Sequence, residues 1–160
     1  MVRVPITRQG YNELLKELEH MKSVERTRIM REIEAARGHG DLSENAEYHA
    51  AKEKQGHVEA KIRDLENKLA ESDIVDVSGL PGDKAVFGSF VSLENLETGE
   101  RVRYQLVGPY EADIKKKKIS VTSPIGRALM GKEPGDVAMV QAPGGLKEYE
   151  VISVGAGGDE

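Results

Sequence analysis

The stretch Gly38-His39-Gly40-Asp41-Leu42-Ser43-Glu44-Asn45 separates two long segments of helical hydrophobic period and carries two carboxylates. Forward from it, Glu44, Tyr48, Ala51, Gln55, Val58, Ile62, Leu65 and Leu69 alternate steps of four and three, the seam of a coiled coil. Backward, Ala36, Ile33 and Ile29, then Met21, Leu18, Leu14 and Tyr11 form a second stripe, interrupted near Glu25. Two such stripes joined by a short glycine turn predict an antiparallel helical hairpin. With Thr7 as N-cap and Arg37 as the last helical residue, the first arm would be about 45 Å long at the α-helical rise per residue. Gly38 and Gly40 can both take positive φ at little cost, which allows the reversal. The second arm is expected to start near Asp41 or Leu42 and to run to about Ser72, with Gly56 marking a close approach of the arms.

Beyond Ser72 the period changes. Asp73–Val77, Val86–Leu93, Arg101–Val107, Ile119–Val121, Val137–Gln141 and Tyr149–Val154 read as strands, punctuated by Gly- and Pro-containing turns. Ser123-Pro124 supplies an N-cap and a proline at N1, so Pro124–Met130 reads as a short helix closed by Gly131. The expected fold class is therefore α+β with two domains. Residues 1–73 form the antiparallel coiled-coil hairpin, and 74–160 form a mostly antiparallel sheet with one short helix and a disordered tail after about 155. Phe87, Phe90, Tyr104 and Tyr110 are expected in the core of that second domain.

Composition narrows the function. A hydrophobic content of 38% and an aromatic content of 4% suit a hairpin plus a small sheet better than one large core. With no cysteine, neither a disulfide framework nor a thiolate metal site can form, and a reducing cytoplasm is the expected compartment. No apolar run approaches a membrane span, and Met1-Val2-Arg3-Val4-Pro5 has no signal-peptide core. A net charge of −5 argues against a free-standing nucleic-acid binder, whose footprint is basic. Local basic runs remain. Lys22, Arg26, Arg28, Arg31 and Arg37 lie on the first arm beside Glu25, Glu32 and Glu34, as expected of a solvated helix face. Lys115-Lys116-Lys117-Lys118 reads as an exposed loop or a protected edge strand, or as a contact with nucleic acid or a polymerase.

The turn has two readings. Asp41 with Glu44 three residues later matches a capping box with Asp in the Ser/Thr place. Against that, Asp41, Ser43, Glu44, Asn45 and Glu47 gather more oxygen ligands at a projecting tip than a cap requires. One or two carboxylates suit Mg²⁺, which fills its other positions with water or substrate phosphate. A tip without walls binds metal weakly and catalyses nothing alone, so an active site there has to be completed by a partner. His39 and His49, with His20 and His57 elsewhere, lack zinc-site spacing, and no nucleophile elbow or phosphate-cradling loop is present.

Arg37-Gly38-His39-Gly40-Asp41-Leu42-Ser43-Glu44-Asn45-Ala46-Glu47-Tyr48-His49-Ala50-Ala51-Lys52-Glu53 closely resembles the Gre family of bacterial transcript cleavage factors, of the GreA type. Ser123-Pro124-Ile125-Gly126-Arg127-Ala128-Leu129-Met130-Gly131-Lys132 and Pro134-Gly135-Asp136 resemble the same family's C-terminal signature. The resemblance implies an FKBP-like C-terminal domain that binds bacterial RNA polymerase near the rim of its secondary channel. It also implies a hairpin pushed inward to the 3′ end of backtracked RNA. Asp41 and Glu44 would then be the acidic pair that helps hold a catalytic Mg²⁺ in the polymerase site, with Ser43 auxiliary. Arg37 and Lys52 match positions that approach the RNA, although Lys52 is commonly Arg in relatives, and Lys22, Arg26 and Arg31 would guide the arm. The implied protein is a monomeric, non-enzymatic cofactor that induces cleavage by the polymerase and rescues arrested complexes. The alternatives are a channel-occupying inhibitor, whose tip is typically altered, and a peptidyl-prolyl isomerase or chaperone suggested by the FKBP-like domain alone.

Overall fold

A computed structural model describes residues 3–40 and 45–155. They form two compact units, Tyr11–Glu71 and a second in which the segment ending at Gly10 joins the chain from Ser72 onward.

The hairpin unit has the expected two arms. Helix α1 (Arg8–His20) passes through a π-helical segment, Met21–Glu25, into α2 (Arg26–Arg37), and α3 (Ala46–Glu71) returns. The π segment explains why the first stripe breaks near Glu25, since a wider turn shifts the phase of every residue after it. Ile29, Ile33 and Ala51 are buried together, with Tyr48 and Val58 packed against them, and Leu14, Ala36, Ile62 and Leu65 are also buried. Ion pairs tie the arms along their length: Lys61–Glu17 at 3.4 Å, Lys22–Glu66 at 3.1 Å and Lys54–Glu32 at 3.2 Å. These are exposed, and each contributes a few tenths of a kcal/mol to about 1 kcal/mol. The apolar seam does most of the holding. Gly56 departs from expectation, because it faces open space and marks no close approach.

In the sheet unit, β3 (Phe90–Asn95), β4 (Arg101–Val107), β5 (Lys118–Ser120), β6 (Val137–Ala142) and β7 (Gly145–Gly155) form a five-stranded sheet of order β5-β4-β3-β7-β6. All neighbours are antiparallel except β4 and β5. Helix α4 (Pro124–Leu129) has Ser123 as N-cap, its Oγ accepting the Gly126 N–H at 3.1 Å. Val91, Leu93, Leu106, Ile119, Leu129, Ala138, Val151 and Val154 make the core. The expected aromatic core is corrected on one point. Only Tyr104 of the four packs against this cluster, while Phe90 is half-buried beneath the Arg103 guanidinium, 4.8 Å from the ring centroid. Strand β3 also begins later than expected, because Val86 and Ser89 close a turn on each other and Gly88 sits at φ +91.

The expected boundary at 73/74 differs from the observed grouping in the first ten residues. Val4–Thr7 is strand β1 and pairs in parallel with β2 (Ser72–Val75). Thr7 still caps α1, its Oγ1 accepting the Gly10 N–H at 3.0 Å. Glu111, in the loop after β4, completes this junction. Its carboxylate accepts the Thr7 N–H at 2.8 Å, the Gly108 N–H at 3.0 Å and the Thr7 hydroxyl. It lies so close over Gly10 that no Cβ fits there. The expected disordered tail after 155 lies outside the described residues. Among those described, no helix is long and apolar enough to cross a membrane.

Candidate functional site

Two helix ends frame the tip. Arg37 closes α2, and Gly38 follows at φ −70, its N–H turned back to the Ala35 carbonyl at 3.2 Å. His39 N–H also reaches the Ala36 carbonyl, at 3.1 Å. Of the two glycines expected to reverse the chain, only Gly40 uses positive φ, at +108. Gly38 stays right-handed because it still serves the α2 terminus.

Asn45 anchors the other side. Its Oδ1 accepts the Tyr48 N–H at 3.0 Å, and its own carbonyl accepts the His49 N–H at 3.1 Å, the geometry of an N-cap. Its Nδ2 donates to the Ala36 carbonyl at 2.6 Å, so one side chain caps α3 and satisfies the end of α2. Helix α3 begins at Ala46, where Asn45 supplies the cap; the expected start of the second arm at Asp41 or Leu42, and the cap expected of Asp41 and Glu44, fall on residues outside those described. Asp41, Ser43 and Glu44 themselves lie outside the described residues, as does the seam position Glu44.

Beside the tip, Arg37 from α2 and Lys52 from α3 line one groove with Met30, Ile33, Glu34 and Gln55. Both cations are exposed, and neither has an ion-pair partner among the described residues. Lys22 and Arg26 differ. Lys22 meets Glu66, and Arg26 forms a two-pronged pair with Glu59, Nε to Oε2 and Nη2 to Oε1 each at 2.8 Å. Hydrogen bonding across that pair holds the Glu59 carboxyl below its usual range and the guanidinium above its own. Arg28 is paired with Glu25. Of the same-arm partners expected for a solvated face, Glu25 is used by Arg28, whereas Lys22 and Arg26 pair across the hairpin with Glu66 and Glu59; Arg31, Arg37 and Lys52 are without such neutralisation among the described residues.

His39 and His49 do not come together as a metal pair: His39 Nδ1 lies 3.1 Å from Glu47, and His49 stands edge-on to Tyr48. No group of three or more His, Cys, Asp or Glu among the described residues is arranged to hold a metal. Carboxylate oxygens such as those of Asp41 and Glu44 are donors of the hard type that Mg²⁺ prefers.

Comparison with known proteins covers both units. The family model described as transcription elongation factor, N-terminal, matches residues 4–74, and that described as transcription elongation factor, GreA/GreB, C-terminal, matches 80–156. The chain is 56% identical over 154 residues to the transcription elongation factor GreA of Anaeromyxobacter sp. (strain K), covering 96% of this chain and 93% of that one. It is 55% identical over 155 residues to the GreA of Methylococcus capsulatus, covering 96% and 98%. Among solved structures, GreA factor homolog 1 of Thermus thermophilus is 31% identical, with 95% and 98% coverage and a TM-score of 0.44.

Proposed function

This chain belongs to the GreA/GreB family of transcription elongation factors, and from that membership we propose that it enters the secondary channel of bacterial RNA polymerase hairpin first and stimulates cleavage of backtracked RNA by the polymerase. The sheet unit is the part that docks on the polymerase in this reading, and the hairpin is the part that reaches the RNA 3′ end. The protein acts in the cytoplasm as a monomer, with no turnover of its own.

The observation that carries the reading is the groove shared by Arg37 and Lys52. Two cations from opposite arms converge beside the acidic turn while Lys22 and Arg26 are neutralised by Glu66 and Glu59. The unpaired charges of Arg37 and Lys52 would meet an RNA 3′ end arriving there, and phosphate contacts of this kind position a backbone without reading its sequence. Asp41 and Glu44 would hold the Mg²⁺, with the polymerase providing its other ligands. Bound there, the ion would supply an activated water for phosphodiester hydrolysis. Ser43, between them in sequence, is an auxiliary donor at the same tip. Asn45 keeps the two helix ends together behind it and so fixes the base of the turn.

The test is a stalled elongation complex carrying 3′-labelled RNA, incubated with this protein and Mg²⁺. Release of short 3′ fragments by the wild type, lost in Asp41→Ala and Glu44→Ala, supports the reading. Equal cleavage by wild type and both variants refutes the tip assignment. Slowed elongation without cleavage assigns the protein to channel inhibition instead.

A further inference from the structure

The Lys115-Lys116-Lys117-Lys118 run has no part in the hairpin chemistry. A 3₁₀ turn, Ile114–Lys116, is capped by Asp113, whose Oδ1 accepts the Lys115 N–H at 3.1 Å. A two-way backbone pairing between Asp113 and Lys118 closes the turn, at 2.9 and 3.0 Å. Lys115, Lys116 and Lys117 are exposed and Lys118 is half-buried. No carboxylate forms an ion pair with any of the four among the described residues.

Edge protection explains only part of this. Strand β5 is the sheet edge, and Lys118 belongs to it, with its outward backbone groups already paired to Asp113, so edge protection concerns this lysine at most. The other three precede the strand and have no edge to guard. Lys117 is moreover held at φ +62, the only non-glycine residue at positive φ among those described, a region glycine enters freely and a long side chain does not. The turn thus keeps a charged side chain where its backbone favours none, with the ammonium 6.0 Å from the Tyr104 ring centroid. On the neighbouring strand Arg103 lies over Phe90 on the opposite face of the sheet, so the cationic surface is that of the turn itself.

We infer that this turn is a docking site for the phosphodiester backbone of nucleic acid. Lysine is depleted in protein–protein interfaces, where arginine and aromatic residues anchor. Phosphate backbones, by contrast, are bound largely by lysine and arginine point charges. Tyr104, the ring beside this turn, packs against the core cluster and is not offered for base stacking, so binding is independent of sequence. The overall acidity of the chain keeps the contact weak in isolation and confines it to this patch.

The inference stands apart from the polymerase reading, and its test contains no polymerase. Fluorescence anisotropy of a labelled random-sequence duplex is measured against the full-length protein over a salt series starting at low ionic strength. Four phosphate contacts give a log–log salt slope of about −3.6 on the duplex and about −2.8 on single-stranded RNA titrated in the same way, and the lower midpoint of the two titrations identifies the preferred form. The fourfold Lys→Gln variant at 115–118 should lose binding. Lys115→Gln with Lys116→Gln, both exposed and outside any strand, should halve the slope in a chain that folds normally. Absence of binding at low salt, or an unchanged slope in the double variant, overturns the inference. So does tighter binding of a labelled polyglutamate of equal charge, which would assign the surface to an acidic protein.

Discussion

Glu111 and Gly10 form a pair whose energetics can be worked out from the structure. The carboxylate accepts hydrogen bonds from the Thr7 amide, the Gly108 amide and the Thr7 hydroxyl, and Thr7 is only 4% exposed, so water replaces them poorly. At about 1 kcal/mol for each bond, Glu111→Ala should destabilise the sheet unit by about 3 kcal/mol. Glu111→Gln keeps one acceptor oxygen and should cost about 1 kcal/mol on the same basis. Gly10→Ala should also destabilise, because the new Cβ collides with the Glu111 carboxylate. Once Glu111 is truncated to alanine the collision with the carboxylate disappears, although the residue's own Cβ, 3.0 Å from the new one, still has to give by a few tenths of an ångström; against that stands the helix preference for alanine, worth up to about 1 kcal/mol in the opposite sense. The two substitutions therefore couple, and Gly10→Ala should cost much less in the Glu111→Ala background than in the wild type. Urea titration followed by amide NMR, reading the residues of β3, β4 and β7, gives the four corners of the cycle. Additivity within about 0.5 kcal/mol would refute the argument, as would a Glu111→Ala effect smaller than that.

Asn45→Ala removes the α3 cap and a bond to the end of α2. It should cost the hairpin about 1–2 kcal/mol, read as a lower thermal midpoint by circular dichroism, and Asn45→Asp should restore the cap but not the bond to Ala36. Acid should weaken the hairpin through Glu59. Its pKa is lowered in the folded chain, chiefly by its hydrogen bond to Arg26. That stabilisation is complete above the unfolded glutamate value of about 4.3 and disappears as pH falls through the depressed folded one. Glu59→Gln should flatten this part of the stability profile, measured by urea midpoints from neutral pH downward.

The parts legible in the sequence are those whose signal is local. The steps of three and four from Tyr48 to Leu69 specify one arm without reference to the other, and Ser123-Pro124 announces α4 within two residues. The break near Glu25 was visible as a break, although periodicity alone does not say that a π turn causes it. Strand β1 was hidden because four residues carry no period, and its partner β2 lies beyond the whole hairpin. Glu111 was hidden for the same reason, its partners being at 7 and 108. At the tip, Asp41-x-x-Glu44 drew attention as a reciprocal capping pattern. Asn45 performs the capping with no acidic residue three positions later, although asparagine's strength as an N-cap was a signal available to be read.

The parallel pairing of Val4–Thr7 with Ser72–Val75 also sets an order of assembly. For a disordered chain, bringing these strands together would close a loop of about 60 residues, an entropic cost of about 4 kcal/mol set against a few ladder bonds. The hairpin removes that obstacle, because its arms zip through contacts that are close in sequence near the turn and deliver both strands to one place. The β1–β2 pair, and the Glu111 junction that rests on it, therefore form late. A change at the turn that slows hairpin closure would delay completion of a sheet unit to which the turn contributes no residue.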